Sequence, residues 1–323
     1  MTIALGVVMD PIASISVKKD STYAMLLEAQ TRNWDIHYME QADLSMRDGR
    51  PLGRTQQLRL FGDPDRWFEL GDPKTLELSD LDVILMRKDP PFNMEYIYTT
   101  YLLEQAEVRG VLVVNRPASL RDANEKLSTA WVPECTPPTL VTRKHSDLRE
   151  FLSEQQDIIL KPLDGMGGAS IFRVTLKDPN ISVILETLTD FEKRLIMAQR
   201  YIPEVVHGDK RVLMVNGEPV DFALARIPPP GETRGNLAAG ARGEGVALSE
   251  RDRWICSRLS ELLVKRGILF AGLDIIGDYL TEINVTSPTC IRELDAIYNL
   301  NISAMLLDVI EMQLSERSAH RHA

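Results

Sequence analysis

LDIIGDYLTEINVTSPTCIR, residues Leu273 to Arg292, reads as two strands that carry oxygen-bearing side chains among apolar ones. Asp274 sits between Leu273 and Ile275, Gly277 and Asp278 punctuate, and Tyr279 to Val285 resumes strand with Glu282 and Asn284. Side chains alternate between the two faces of a strand, so Glu282 and Asn284 point the same way. Where Asp274 faces depends on the turn. A two-residue turn at Gly277 and Asp278 pairs Asp274 with Thr281 and leaves it on the face away from Glu282. A three-residue loop centred on Asp278 pairs Asp274 with Glu282 and brings all three onto one face. In the second arrangement two carboxylates and an amide oxygen make a site for a hard cation such as Mg²⁺, with substrate phosphates completing its shell. The alternative reading of the same residues is a solvated hairpin edge.

The rest of the chain sets limits on this hairpin. At 323 residues, 44% hydrophobic and 26% charged, it suits two or three packed subdomains of ordinary globular composition. A net charge of -10 and a pI near 5.1, with no basic stripe, argue against a nucleic-acid surface. Cys135, Cys256 and Cys290 are far apart and lack CxxC spacing, which suggests reduced thiols and neither a disulfide frame nor a zinc site. The start MTIALGVVMDP has no basic leader, and no apolar run reaches the ~20 residues of a membrane span, so the expected location is the cytoplasm.

In chain order, strand and helix alternate first. Ile3 to Met9 is a continuously apolar strand, Asp20 or Ser21 caps a helix to Gln30, and Ile36 to Met39 returns as strand, the opening of a parallel α/β sheet. Residues 41 to 80 read as a polar, loop-rich passage. Leu81 to Met86 is another buried strand, Asn93 caps a helix to about Arg109 that Gly110 ends, and Val111 to Val114 is strand again. Ligands of such sheets gather beyond the carboxyl ends of strands. This sets the loops Asp10 to Lys19 and Arg87 to Pro91 side by side, with Lys18 and Arg87 among cations that can hold a small anion or merely solvate the loop.

A second unit begins near residue 122. Lys126 falls on a helix that ends before Pro133, Thr139 to Thr142 is strand, a helix covers Ser146 to Glu154, and Ile158 to Leu160 is a strand that delivers Lys161. DGMGGAS, Asp164 to Ser170, follows. Gly165, Gly167 and Gly168 permit positive φ and close approach of backbone N–H groups to an anion, while the absence of GxxxxGK[ST] and GxGxxG excludes a P-loop or a Rossmann fingerprint. Ile196 to Tyr201 reads as strand. Lys210 to Arg226 forms a hairpin about Asn216-Gly217, whose two-residue turn pairs Arg211 with Phe222 and puts Arg211 and Arg226 on one face. Residues 227 to 246, rich in proline and glycine and carrying Arg234, read as a structureless lid. Ser249 caps a helix to Arg266, Ile268 to Phe270 is strand, a last helix covers 302 to 314, and residues 317 to 323 form a frayed tail.

In this order, MDPI, LMRKDPPF, KPLDGMGGASIFR, ARIPPPGETRGNLAAG and LDIIGDYLTEINVTSPT, together with Lys126, resemble the ATP-grasp ligases, and among them the bacterial glutathione synthetases. The resemblance implies an α/β substrate domain over 1–122 and an ATP-grasp small subdomain over 123–200. It implies a large subdomain over 201–316 with a mobile loop at 227–246. It implies formation of glutathione from γ-L-glutamyl-L-cysteine and glycine through an acyl phosphate, using ATP and Mg²⁺ or Mn²⁺, in a cytoplasmic homotetramer. By residue, it implies Asp274, Glu282 and Asn284 for metal, and Lys126, Lys161, Gly165, Gly167, Gly168, Gln199, Tyr201, Ile202 and Asp209 for ATP. Arg211, Arg226 and Arg234 would be catalytic, and Lys18, Arg87, Val285, Thr286 and Ser287 would bind substrate. The alternatives are another ATP-grasp amino-acid ligase, of the D-alanine ligase kind, and a non-catalytic ATP-binding protein.

Overall fold

The computed structural model describes residues 2–63, 65–165, 168–229 and 240–321. The first sheet is built from β1 (Ala4–Val8), β2 (Asp35–Met39), β3 (Leu44–Arg47), β4 (Arg50–Leu60), β5 (Phe68–Leu70), β6 (Lys74–Glu77), β7 (Val83–Met86) and β8 (Leu112–Val114). Its path is β3-β4-β2-β1-β7-β8, with β5 and β6 also pairing with β4. β2, β1, β7 and β8 are parallel, as their unbroken apolar runs require. Two helices accompany this sheet. α1 (Ser21–Thr31) is capped by Asp20 and α2 (Met94–Val108) by Asn93, each side chain accepting a backbone N–H of the first turn.

Residues 41 to 80 are not the loop-rich passage expected from their polarity. They form β3 to β6, an antiparallel extension. Near its end β4 alternates buried Leu58 and Leu60 with exposed Arg59, because only one face of this extension is covered.

α3 (Pro117–Asp122) leads into the second half. β9 (Thr139–Thr142), α4 (His145–Gln155), β10 (Asp157–Pro162), β11 (Phe172–Thr175), α5 (Ile181–Thr189) and β12 (Ile196–Arg200) make a four-stranded antiparallel sheet, ordered β11-β10-β12-β9, backed by two helices. It has its own small core around Leu148, Leu160, Leu185 and Ile196. Lys126 is not on an α-helix. It is the residue before a short 3₁₀ turn, Leu127–Trp131.

The third sheet, ordered β15-β14-β13-β16-β17, comprises β13 (Asp209–Val215), β14 (Glu218–Ile227), β15 (Arg242–Ala247), β16 (Phe270–Ile276) and β17 (Tyr279–Asn284). α6 (Glu250–Lys265) packs on it and starts with a reciprocal capping box between Ser249 and Asp252. α7 (Ile291–Tyr298) and α8 (Ile302–Arg321) close the chain. Two apolar clusters run from the first sheet into the third, joining Val8, Ile84 and Val113 to Leu273 and Ile283, and Leu5 and Val83 to Leu213 and Phe270. Asn115, just after β8, adds a polar tie: its Oδ1 accepts from Phe270 N–H and its Nδ2 donates to the Phe270 and Val285 carbonyls. Among the described residues no helix is long and apolar enough to cross a membrane.

Two further expectations change. The stretch 227 to 246 is not structureless throughout, since Ile227 ends β14 and Arg242 to Val246 belong to β15, paired to it residue by residue; residues 230 to 239, Arg234 among them, lie outside the described residues. The tail is not frayed from 317 either, for α8 continues to Arg321. In its last turns the Ser318 hydroxyl donates to the Leu314 carbonyl at 3.0 Å.

Candidate functional site

The hairpin β16–β17 settles the facing of Asp274 in a way that combines both readings of the turn. The turn is the two-residue one, pairing Ile276 with Tyr279 with Gly277 at φ +55, and the register then shifts so that Asp274 pairs with Glu282. Thr281 is the extra residue of a β-bulge, its hydroxyl donating to the Asp274 carbonyl at 3.1 Å. Asp274, Glu282 and Asn284 therefore share a face. The neighbouring hairpin is also bulged: Val215 pairs with Glu218 as expected, but Arg211 pairs with Leu224 in place of Phe222. A shift of two keeps side-chain parity, so Arg211 and Arg226 stay on one face and come two residues closer in register.

On this surface the charges fall into two groups. In the first, Asp274 is a buried carboxylate clasped by Arg211, with Nε to Oδ1 at 2.5 Å and Nη2 to Oδ2 at 3.0 Å. Arg226 Nη2 lies 3.0 Å from Asp274 Oδ2 and 2.5 Å from Asp209 Oδ2. Burial pushes the Asp274 carboxyl up, yet the two guanidiniums prevail and hold it well below the usual carboxylate range. Asp209 shows the opposite balance. Burial pushes its carboxyl up to about 7 against the pull of Arg226, and its Oδ1 is buried without a partner. Gly272 makes the clasp possible, since a Cβ there would meet Arg211 Cδ at 2.8 Å.

The second group is built across elements. Lys126 Nζ donates to the Gly165 carbonyl at 2.7 Å and to the Glu125 carboxylate, and lies 3.6 Å from Glu282 Oε1. Lys161 Nζ is 3.7 Å from the same oxygen and donates to the Thr281 carbonyl at 3.3 Å. Burial pushes the Lys161 ammonium down, with Glu282 opposing it. Burial acts on Lys126 in the same sense, but Glu282 and Glu125 outweigh it and its pKa is raised. Glu125, not singled out in the sequence, is raised by burial first and Glu282 second.

Both groups line one cavity of about 530 Å³. Lys126, Lys161, Gly165, Gly168, Gln199, Tyr201, Ile202, Asp209, Arg211, Arg226, Thr286 and Ser287 all reach it, as do Asp274, Glu282 and Asn284. Ile159, Ile171, Ile202, Val205 and Ile276 give it an apolar wall suited to a flat base, beside the glycine-rich loop in which Gly168 has φ +77. Gly167 lies outside the described residues. Three expected residues stand elsewhere. Lys18 is exposed and its neighbour Lys19 faces the cavity. Arg87 is buried, donating to the Pro288 carbonyl at 2.9 Å and to Thr22 Oγ1 at 3.1 Å, so it braces the loop that carries Ser287. Val285 is buried and lines only a small adjoining cleft.

The oxygen donors fit a hard dication. Among the described residues no cluster of three His, Cys, Asp or Glu side chains is placed to hold a metal, which leaves the two carboxylates and the amide of this face. That sparse set suits an ion whose shell is completed by phosphates. Asp274 is engaged by guanidiniums, so ligation would exchange that contact.

Residues 3–121 match the family model described as the prokaryotic glutathione synthetase N-terminal domain, and residues 125–299 the one described as the prokaryotic glutathione synthetase ATP-grasp domain. The chain belongs to the prokaryotic glutathione synthetases. It is 62% identical over 317 residues to the glutathione synthetase of Pseudomonas putida, covering 98% of this chain and 100% of that one. To the glutathione synthetase of Yersinia pestis it is 59% identical over 318 residues, again covering 98% and 100%. Among solved structures, D-cycloserine synthetase DcsG superposes with a TM-score of 0.66 at 13% identity, covering 95% of this chain and 100% of that one. D-alanyl-alanine synthetase A from Vibrio cholerae gives 0.58 at 14%, covering 98% and 100%. These two share the fold. As a prokaryotic glutathione synthetase, the chain is an ATP-dependent ligase that forms glutathione.

Proposed function

We propose that this synthetase joins γ-L-glutamyl-L-cysteine to glycine by an acyl phosphate, with the lysine group serving ATP and the arginine group serving the dipeptide carboxylate. The observation that carries this reading is the pairing of Asp274 with Glu282, which sets the carboxylate held by the arginines beside the one the lysines face. A carboxylate is a poor acyl donor to an amine. One of its oxygens therefore attacks the γ-phosphorus of ATP, and ADP leaves. The glycine nitrogen then attacks the acyl carbon, and phosphate departs carrying that carboxylate oxygen as the amine loses a proton. Positioning and charge neutralisation carry most of such a barrier.

In this reading Gly165, Gly167 and Gly168 cradle phosphates, and Lys126 and Lys161 add compact positive charge beside them. Gln199, Tyr201 and Ile202 flank the base, and Asp209 faces the ribose. Asp274, Glu282 and Asn284 would hold Mg²⁺, or Mn²⁺ in its place. The metal, when bound, supplies Lewis-acid neutralisation of the phosphate oxygens. With Asp274 engaged by the metal, Arg211 and Arg226 would be free for the carboxylate being phosphorylated, and Thr286 and Ser287 would offer hydroxyls to the glycine carboxylate. Arg234 would join the arginine group, and residues 1–122, 123–200 and 201–316 would act as substrate, small and large subdomains. Cytoplasmic location and a homotetrameric assembly rest on the resemblance alone.

The test uses dipeptide labelled with ¹⁸O in its cysteinyl carboxylate. One labelled oxygen per turnover should appear in the released phosphate. Unlabelled phosphate accompanied by glutathione would rule out the acyl phosphate.

A further inference from the structure

Six carboxylates line the cavity: Asp89, Glu125, Asp209, Asp274, Glu282 and Glu293. Five have partners. Asp89 accepts from Ser287 Oγ, Glu125 from Lys126, Asp209 and Asp274 face guanidiniums, and Glu282 faces two ammoniums. Glu293 has no hydrogen bond or ion pair among the described residues, and its Oε2 is buried without a donor. As the third residue of α7 it gains from the helix dipole, but the cap residue Cys290 makes no reciprocal side-chain bond with this turn. A carboxylate oxygen removed from water and left unpaired is costly unless a donor arrives.

A cationic group brought in by a ligand would supply the missing donor. α7 packs on β14 and β15 and against α1, with Ile291 N–H donating to Ser21 Oγ, while Glu293 raises the pKa of Cys290, whose thiol also feels Arg211 and Arg226. Glu293 and the arginine group thus share the surroundings of Cys290, on the lining of the one cavity. Two amines enter this reaction. The glycine nitrogen has to attack as the free base, and a carboxylate beside it would favour the inert ammonium. The glutamyl α-ammonium of the dipeptide does not react and remains charged throughout.

Resting on the assignment of γ-glutamylcysteine as donor, we infer that Glu293 binds the α-ammonium of its glutamyl residue and so selects a γ-glutamyl donor over other acylated cysteines. The test compares γ-glutamylcysteine with glutaryl-cysteine, which lacks only the amino group. The wild type should favour the natural dipeptide in kcat/KM by about 10- to 100-fold, the scale of a hydrogen bond to a charged group. Glu293→Gln should lose that factor on the dipeptide, mainly through KM, leave glutaryl-cysteine and the KM for ATP unchanged, and bring the ratio near one. Glu293→Asp should recover part of it. Each ratio is taken within a single preparation, so a partly folded variant does not distort it. Equal losses on both substrates, or an undiminished preference in Glu293→Gln, would overturn the assignment of Glu293; a wild type that uses neither compound would instead overturn the donor itself.

Discussion

The arginine group and the lysine group line the same cavity but are built differently. Arg211, Arg226, Asp209 and Asp274 stand on three neighbouring strands of one sheet, and Gly272 is the single backbone concession that lets Arg211 reach across. Glu125 and Lys126 come from the segment before a 3₁₀ turn, Lys161 from a strand of the small sheet and Gly165 from a loop, and they meet the large sheet chiefly at Glu282. The first group is set by register. The second exists only when two sheets with separate cores are held at the right distance. Strong bidentate pairing therefore belongs to the first group, and longer ion contacts of 3.6 and 3.7 Å to the second, as suits a place where phosphate oxygens enter between cations.

Glu282 joins the two groups, so its loss should have the largest effect. Glu282→Gln is expected to cut turnover by at least ~10²-fold, the scale of a lost partner for transition-state charge, with the thermal unfolding midpoint little moved. A variant that unfolds with its activity per folded molecule intact would make Glu282 a structural linker only.

Gly272→Ala addresses the rigid group alone. Its methyl displaces Arg211, so KM for the dipeptide should rise by about 10- to 100-fold, as small misplacements of positioning groups do, while nucleotide affinity measured by calorimetry holds. Equal losses for both ligands would mean that the two groups are not separable.

The smallest effect concerns Asp209. Its folded pKa of about 7 lies above its ordinary 3.8, so the folded state binds the proton more tightly. Its contribution to stability is full below about 4 and is lost as pH rises through 7. Asp209→Asn should flatten the fall in unfolding midpoint across that window; an unchanged profile would place the titration on another group.

How much of this was legible follows the same division. Parity along strands can be read from sequence, so the common face of Glu282 with Asn284, and of Arg211 with Arg226, was within reach. Bulges carry no composition signal, and the two here moved Asp274 opposite Glu282 and Arg211 opposite Leu224. Caps announce α1, α2 and α6, but the residue before α7, Cys290, has φ +89 and gives no side-chain cap, so nothing in TSPTC marks its start. The polar run 41 to 80 hid β3 to β6 because one face of that sheet is solvated. Glu125 carries no signal beside Lys126, since a pair of adjacent charges has no periodic signature. Lys18 and Arg87 stand out by charge in the sequence, whereas burial and loop direction decide which cation faces the cavity.

Joint use of the two groups is measured most directly by phosphate release from the purified chain when components are withheld one at a time. With ATP, Mg²⁺, γ-glutamylcysteine and glycine all present, phosphate should appear in step with glutathione, and omission of any one should reduce it to background. Phosphate released at the same rate without glycine, or with D-alanine replacing both amino-acid substrates, would contradict the account.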